Sequence, residues 1–298
     1  MVFSMLLYRT TSNLKRISQP NSGTSSHLFK QTHRAIRICG VLAACFFSVY
    51  GNSNELPNIR ITFTPSVSEL DKQTILEIKK TSSLRTIQSL SESVIHFPTP
   101  VHIVFGALDG PLYDPETNQI EIPYSFWREM VERFSSDIAG SSDNPDLHDS
   151  NKAYALKASA GALLHTLLHE LGHAYIALNE IPILGKEEDA ADSFANILML
   201  NYVDTGDDQA IHAATLFAIE DQQIDSFDDL DFIDEHSLDI QRYFYSLCLV
   251  YGSDPDKHKT LFQDLDSDVK TEREDICIEE FERVTTSWQS YFEQQSEQ

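Results

Sequence analysis

The chain has 298 residues, 41% of them hydrophobic, enough for one sizeable core. Its 22 Lys and Arg against 46 Asp and Glu give a formal net charge of −24, a balance that repels polyanions and excludes nucleic acid as an expected partner. No apolar run approaches the roughly 18 residues of a membrane span, and 11 Gly, 11 Pro and the lack of a sustained heptad or short repeat exclude collagen-like, coiled-coil and low-complexity classes.

The charge is uneven along the chain. Residues 1–54 hold Arg9, Lys15, Arg16, Lys30, Arg34 and Arg37 and no acid, a charge of +6; the whole-chain −24 less this +6 leaves −30 on residues 55–298. The basic stretch leads into a 13-residue apolar run, Ile38 to Tyr50, too short to span a bilayer but of signal-peptide length. Val49 and Gly51 are placed for cleavage before Asn52. Residues 1–54 therefore read as an export segment and 55–298 as one domain, periplasmic or secreted, with membrane contact through the N-terminal segment only. Three alternatives stay open: an organelle-type presequence, an uncleaved amphipathic anchor, and lipidation at Cys45, since Leu42-Ala43-Ala44-Cys45 resembles a lipoprotein box. Beyond the leader only Cys248 and Cys277 remain. An even pair in an exported chain points to one disulfide, which would remove denatured-state entropy worth about 3 kcal/mol; two buried thiols are the alternative.

In chain order, residues 58–64 alternate polar and apolar as a half-buried strand does. Residues 68–95 read as one or two amphipathic helices, with Leu70, Ile75, Ile78, Leu84, Ile87 and Leu90 on the apolar side. Residues 101–106 form a second strand, 113–118 a turn and 119–123 a third strand, whose trailing Pro123 suits a sheet edge. The remainder is mostly helical: a loop at 141–146, long helices at 151–178 and 186–203, an acidic loop at 221–235, then helices at about 237–251, 256–265 and 272–295. A small mixed sheet followed by a helical half is an α+β pattern.

The chemistry concentrates in the first long helix, in Leu168-His169-Glu170-Leu171-Gly172-His173-Ala174. Positions four apart share a helix face, so His169 and His173 can grip one metal ion, and Glu170 beside them can polarise a water on it. The Leu and Ala flanks place this face in an apolar interior rather than on a charged surface. A hydrolytic zinc site needs a third protein ligand. Asn179 stands where a third His would extend the motif, and no Cys lies nearby. The candidates are in Gly185-Lys186-Glu187-Glu188-Asp189-Ala190-Ala191-Asp192. Glu188 can complete the shell, with Asp192, four residues on, accepting the spare N–H of a ligand His, His169 in this reading. Glu187 is a rival third ligand. His165 lies a turn before His169 and reads as a neighbouring polar group rather than a ligand.

Farther on, His236 in Asp234-Glu235-His236-Ser237 is a candidate to face a developing oxyanion, oriented by Glu235 or Asp239. Arg242 can pair with the nearby acids, and Tyr113 can face the cleft. Asp264, Asp266 and Asp268 mimic a calcium loop, but Val269 fills the position that needs Gly, so they read as solvated surface.

These residues resemble a bacterial family of zinc metallopeptidases of gluzincin type, assigned by motif. The similar pieces, in the family's order, are 113–120, His-Glu-Leu-Gly-His-Ala at 169–174, Leu-Gly-Lys-Glu-Glu-Asp-Ala-Ala-Asp at 184–192, Glu-His-Ser-Leu-Asp-Ile-Gln-Arg at 235–242 and Cys-Leu-Val-Tyr-Gly-Ser-Asp-Pro at 248–255. The resemblance covers about residues 58–291 and implies a zincin-like fold, one zinc ion, export, and no particular substrate. The expectation is a zinc-dependent peptidase acting on a peptide or protein: His169, His173 and Glu188 hold Zn²⁺, Glu170 is the general base, His236 assists, and the strand at 119–123 pairs with extended substrate. The rival is a zinc-braced scaffold or interaction protein without turnover.

Overall fold

The computed structural model describes residues 58–141, 148–224, 226–263 and 265–296. Residues 1–57, which include the stretch expected to direct export and Cys45, lie outside the described residues, as do most of the loop after residue 141 and Asp264.

Four strands form one mixed sheet: β1 (Ile59–Phe63), β2 (Val101–Phe105), β3 (Leu112–Asp114) and β4 (Gln119–Ile122), in the order β1-β2-β4-β3. The first two pairs are parallel and β3 runs antiparallel to β4. Parallel neighbours need a crossover, and the helical pair α1 (Glu69–Lys80) and α2 (Ser83–Ser93) supplies the one between β1 and β2. Ile78, Ile87 and Leu90 are buried as the apolar stripe requires, whereas Leu70 is 56% exposed because it sits in the first turn, ahead of the packed part of α1.

Two expectations about the sheet are corrected. The strand at 119–123 is not an edge: β4 bonds to β2 on one side and β3 on the other, and Pro123 simply ends it. The edge on that side is β3, whose last two residues fall in the stretch 113–118 expected as a turn. Three residues are too few to show a period of two, and the turn chemistry of Asp114 to Asn118 masked them.

The helical half comprises α3 (Tyr124–Ser141), α4 (His148–Leu178), α5 (Glu187–Tyr202), α6 (Gly206–Asp221), α7 (Asp229–Ile233), α8 (Asp239–Ser253), α9 (Pro255–His258) and α10 (Ser267–Ser296). No described helix is long and apolar enough to cross a membrane. The centre is α4, which packs against α2, α3, α5 and α6, and its Leu163, Leu164, Leu167, Leu168, Leu171 and Ala174 are fully buried. A helix apolar all round belongs in a core. The sequence reading missed α6 for a related reason: Ala210, His212, Ala213, Ala214, Leu216, Phe217 and Ile219 are all buried, so no polar face opposes an apolar stripe. The helix expected at 256–265 is only α9, one turn long.

Two features set the spacing around α4. At Gly172 a Cβ would stand 3.2 Å from both the Ala191 Cα and the Phe194 ring, so its absence lets α5 lie close against α4. Tyr175 of α4, Phe194 of α5 and Trp288 and Phe292 of α10 form an aromatic cluster, and the Trp288 indole donates to Ser193 Oγ at 2.9 Å. A disulfide joins Cys248 of α8 to Cys277 of α10.

Candidate metal centre and cleft

His169 and His173 stand one turn apart on α4, with their Nε2 atoms 3.2 Å from each other. The first turn of α5, acidic as a helix N-terminus favours, brings Glu188 across: its Oε2 is 3.1 Å from His169 Nε2 and 3.3 Å from His173 Nε2. Tetrahedral donors at 2.0–2.1 Å from a zinc ion stand about 3.3 Å apart, so this triangle has the right size for one ion. The donor chemistry fits too. Each imidazole faces a carboxylate through Nδ1: His169 Nδ1 is 2.7 Å from Asp192 Oδ1, and His173 Nδ1 is 2.9 Å from Glu187 Oε1. With the protons on Nδ1, the Nε2 lone pairs and the Glu188 oxygen aim at one point, where a cation stabilises them. Burial opposes charge on His169, but the Asp192 and Glu188 hydrogen bonds outweigh it and lift its pKa to about 9. Burial likewise opposes charge on Glu188, yet three imidazoles hold its carboxyl far below the usual range. A metal ion binding there takes the place of the shared protons.

Glu187, the rival ligand, is turned to the far side of His173, where it accepts from Nδ1. His165 is buried with its Nε2 facing Asn196 Nδ2 at 3.3 Å, and burial drives its pKa down to about 4. It stands apart from the converging group.

Below the triangle, Arg242 grips Asp192 with two bonds, Nε to Oδ2 at 2.8 Å and a terminal nitrogen to Oδ1 at 2.9 Å, while its guanidinium lies 4.0 Å above the Phe217 ring. Burial opposes ionisation of Asp192, but Arg242 and His169 hold it well below the carboxylate range. Asn196 donates to the backbone oxygen of Asp192 at 2.9 Å. Arg242, expected to pair with nearby acids, is a two-bond clamp on the carboxylate that faces His169 Nδ1.

Above the triangle is a cleft of about 540 Å³ lined in part by Leu112, Tyr113, Glu170, Glu235 and His236. Glu170 is 6% exposed, burial pushes its pKa up, and it takes no hydrogen bond from another described residue. Tyr113 faces this cleft from β3 and donates its hydroxyl proton to Asn118 at 3.0 Å. His236 Nε2 is 2.9 Å from Glu188 Oε2, a bond that raises the pKa of the ring.

The orienting residue of His236 differs from expectation. Asp234 Oδ1, not Glu235 or Asp239, accepts its backbone N–H at 2.8 Å and lies 3.3 Å from Nδ1. Asp239 is drawn instead toward Arg242, at 3.8 Å. Lys186 donates to the backbone oxygens of Asp234 at 3.1 Å and His236 at 2.8 Å, and Ser237 donates to Asp189 at 2.7 Å. The sequence reading missed these clasps. Their signal was Lys186 and Asp189, the charged residues flanking the Glu187-Glu188 pair.

A family model described as "Putative metallopeptidase" matches residues 63–292, from the end of β1 into α10. The chain belongs to this putative metallopeptidase family. The match spans the cleft and every residue of the triangle. No curated protein and no solved structure matches the chain. A metallopeptidase family implies a metal, and among the described residues His169, His173 and Glu188 are a group whose ligand atoms, within 4.8 Å of one another, could hold it.

Proposed function

We propose that this chain is a zinc-dependent peptidase of zincin-like fold, with His169, His173 and Glu188 as the ligands of a single zinc ion. The observation that carries the reading is the 3.1–3.3 Å triangle of two imidazole nitrogens and a carboxylate oxygen beside a buried Glu170 with no hydrogen-bond partner among the described residues. Three protein ligands facing a cleft is the arrangement of catalytic zinc sites; a structural brace closes its fourth position with another side chain. Zinc held there supplies Lewis acidity, polarising a carbonyl and bringing the pKa of a water toward 7.

The side chains do the rest. Asp192 and Glu187 keep both imidazoles in the Nδ1–H tautomer, leaving Nε2 free to ligate. Arg242 and Asn196 hold Asp192 still. Glu170 receives the proton of the attacking water and hands it to the leaving amine; its burial raises its pKa toward the range where a carboxyl can do both. His236, fixed by Asp234 and the Lys186 clasp, turns its Nε2–H from Glu188 to the oxygen that gains charge. The edge strand β3, rather than β4, offers backbone groups to an extended substrate.

We read the protein as exported, with its N-terminal segment as the address. The Cys248–Cys277 disulfide supports this, since such bonds persist in oxidising compartments. The test of function is cleavage of a mixed peptide library followed by mass spectrometry. Cleavage that stops with chelator and returns with zinc is expected; chelator-insensitive cleavage, or none by the zinc-loaded protein, overturns the reading.

A further inference from the structure

The cleft is more anionic than its metal chemistry requires. Four carboxylates line it, Glu170, Glu187, Glu188 and Glu235, and no Lys or Arg does. The basic groups around it are already engaged: Lys186 on two backbone oxygens, Arg242 buried on Asp192, and His236 on Glu188 and Asp234. Three of the four acids have a task in the peptidase reading. Glu188 ligates, Glu187 holds His173, and Glu170 moves the proton.

Glu235 is left over. It is exposed, adjoins His236 in sequence, and makes no hydrogen bond or ion pair with another described residue. The buried Glu170 lines the same cleft with no hydrogen-bond partner among the described residues, so a polar acceptor is turned into this space. Other parts of the lining are apolar: Pro111, Leu112, Pro115 and Ala177. A ligand suited to such a cleft has an apolar stem and a cationic head, the form of a long basic side chain. The net charge of −24 on the whole chain adds a field that attracts cations.

We propose that the cleft selects peptides carrying Lys or Arg beside the scissile bond, and that Glu235 is the residue that reads the cation. The proposal rests on the peptidase reading for the position of the scissile bond. A free α-amino group offers the same charge without the stem, so the test separates the two sources. An exposed ion pair strengthened by a focusing cleft gives a preference of roughly five- to tenfold.

The experiment uses the full zinc-loaded chain and a fluorescent peptide panel that varies one residue beside the cleavage point. That residue is Lys, Arg, norleucine, citrulline or Glu, with each peptide N-acetylated or free. Cleavage is followed as kcat/KM, and binding by anisotropy on the E170Q chain. Acetylated Lys and Arg peptides are expected to exceed norleucine and citrulline by about five- to tenfold in both measures. In Glu235→Gln the ratio should fall to near one, and in Glu235→Lys it should invert toward the Glu peptide. Equal treatment of Lys and norleucine, a preference that follows the free amine alone, a ratio unmoved in Glu235→Gln, or no binding of any peptide would each overturn the proposal. Selective binding without cleavage would sink the peptidase reading and keep this one; cleavage without selectivity would do the reverse.

Discussion

The floor and the rim of the cleft are held in opposite ways. On the floor, Asp192 is buried and fixed from several sides, by His169, by two bonds from Arg242 and by Asn196 on its backbone. On the rim, His236 and Glu235 are exposed, and their loop is pinned by one lysine on two backbone oxygens and one serine hydroxyl. The floor is built so that the His169 imidazole has one orientation. On the rim Glu235 stays in water, and His236, although half exposed, rests its Nε2 on Glu188. Damage to the floor should therefore appear as lost stability and metal affinity, and damage to the rim as lost turnover with the fold intact.

The largest break is Arg242→Met. It strands a buried carboxylate, and losing one partner of such a pair costs about 3–5 kcal/mol, read as a lower urea midpoint. Zinc affinity should fall about 10–100-fold as His169 loses its orientation, read by chelator competition. Retention of both stability and affinity would dissolve the distinction between floor and rim. Next is reduction of the Cys248–Cys277 disulfide, which ties α8, the carrier of Arg242, to α10. About 3 kcal/mol of stability should be lost, with a thermal midpoint several degrees lower in reductant, while Cys248→Ser/Cys277→Ser should show the same drop without it. The smallest stability effect belongs to the rim. Lys186→Met should cost under about 1 kcal/mol and leave zinc affinity unchanged, yet lower kcat several-fold as His236 loses its support. A large fall in zinc affinity instead would place Lys186 with the floor.

How much could be read from the sequence follows the same division. The spacing of His169 and His173 is a property of one helix, and the i, i+4 pair Glu188 and Asp192 is a property of another, so local geometry alone nominated all four. The α+β order was legible because β1, β2, α1 and α2 each have a clear period. What was hidden depends on distant parts meeting. Arg242 reaches Asp192 from 50 residues away, Lys186 reaches the His236 loop across a similar gap, and the choice between Glu187 and Glu188 turns on how α5 approaches α4 at Gly172. The edge strand was misplaced because β3 is too short to announce itself, and α6 was missed because burial on all sides erases a stripe.

The central claim is that the two imidazoles and Glu188 bind zinc while Glu170, touching none of them by a hydrogen bond, moves the proton. The most direct measurement is elemental analysis of Glu170→Gln together with its kcat/KM on a peptide that the wild-type chain cleaves. The account predicts one zinc per chain, as in the wild type, and hydrolysis reduced by about 10²–10⁴-fold or more. Zinc retained with wild-type hydrolysis would contradict it.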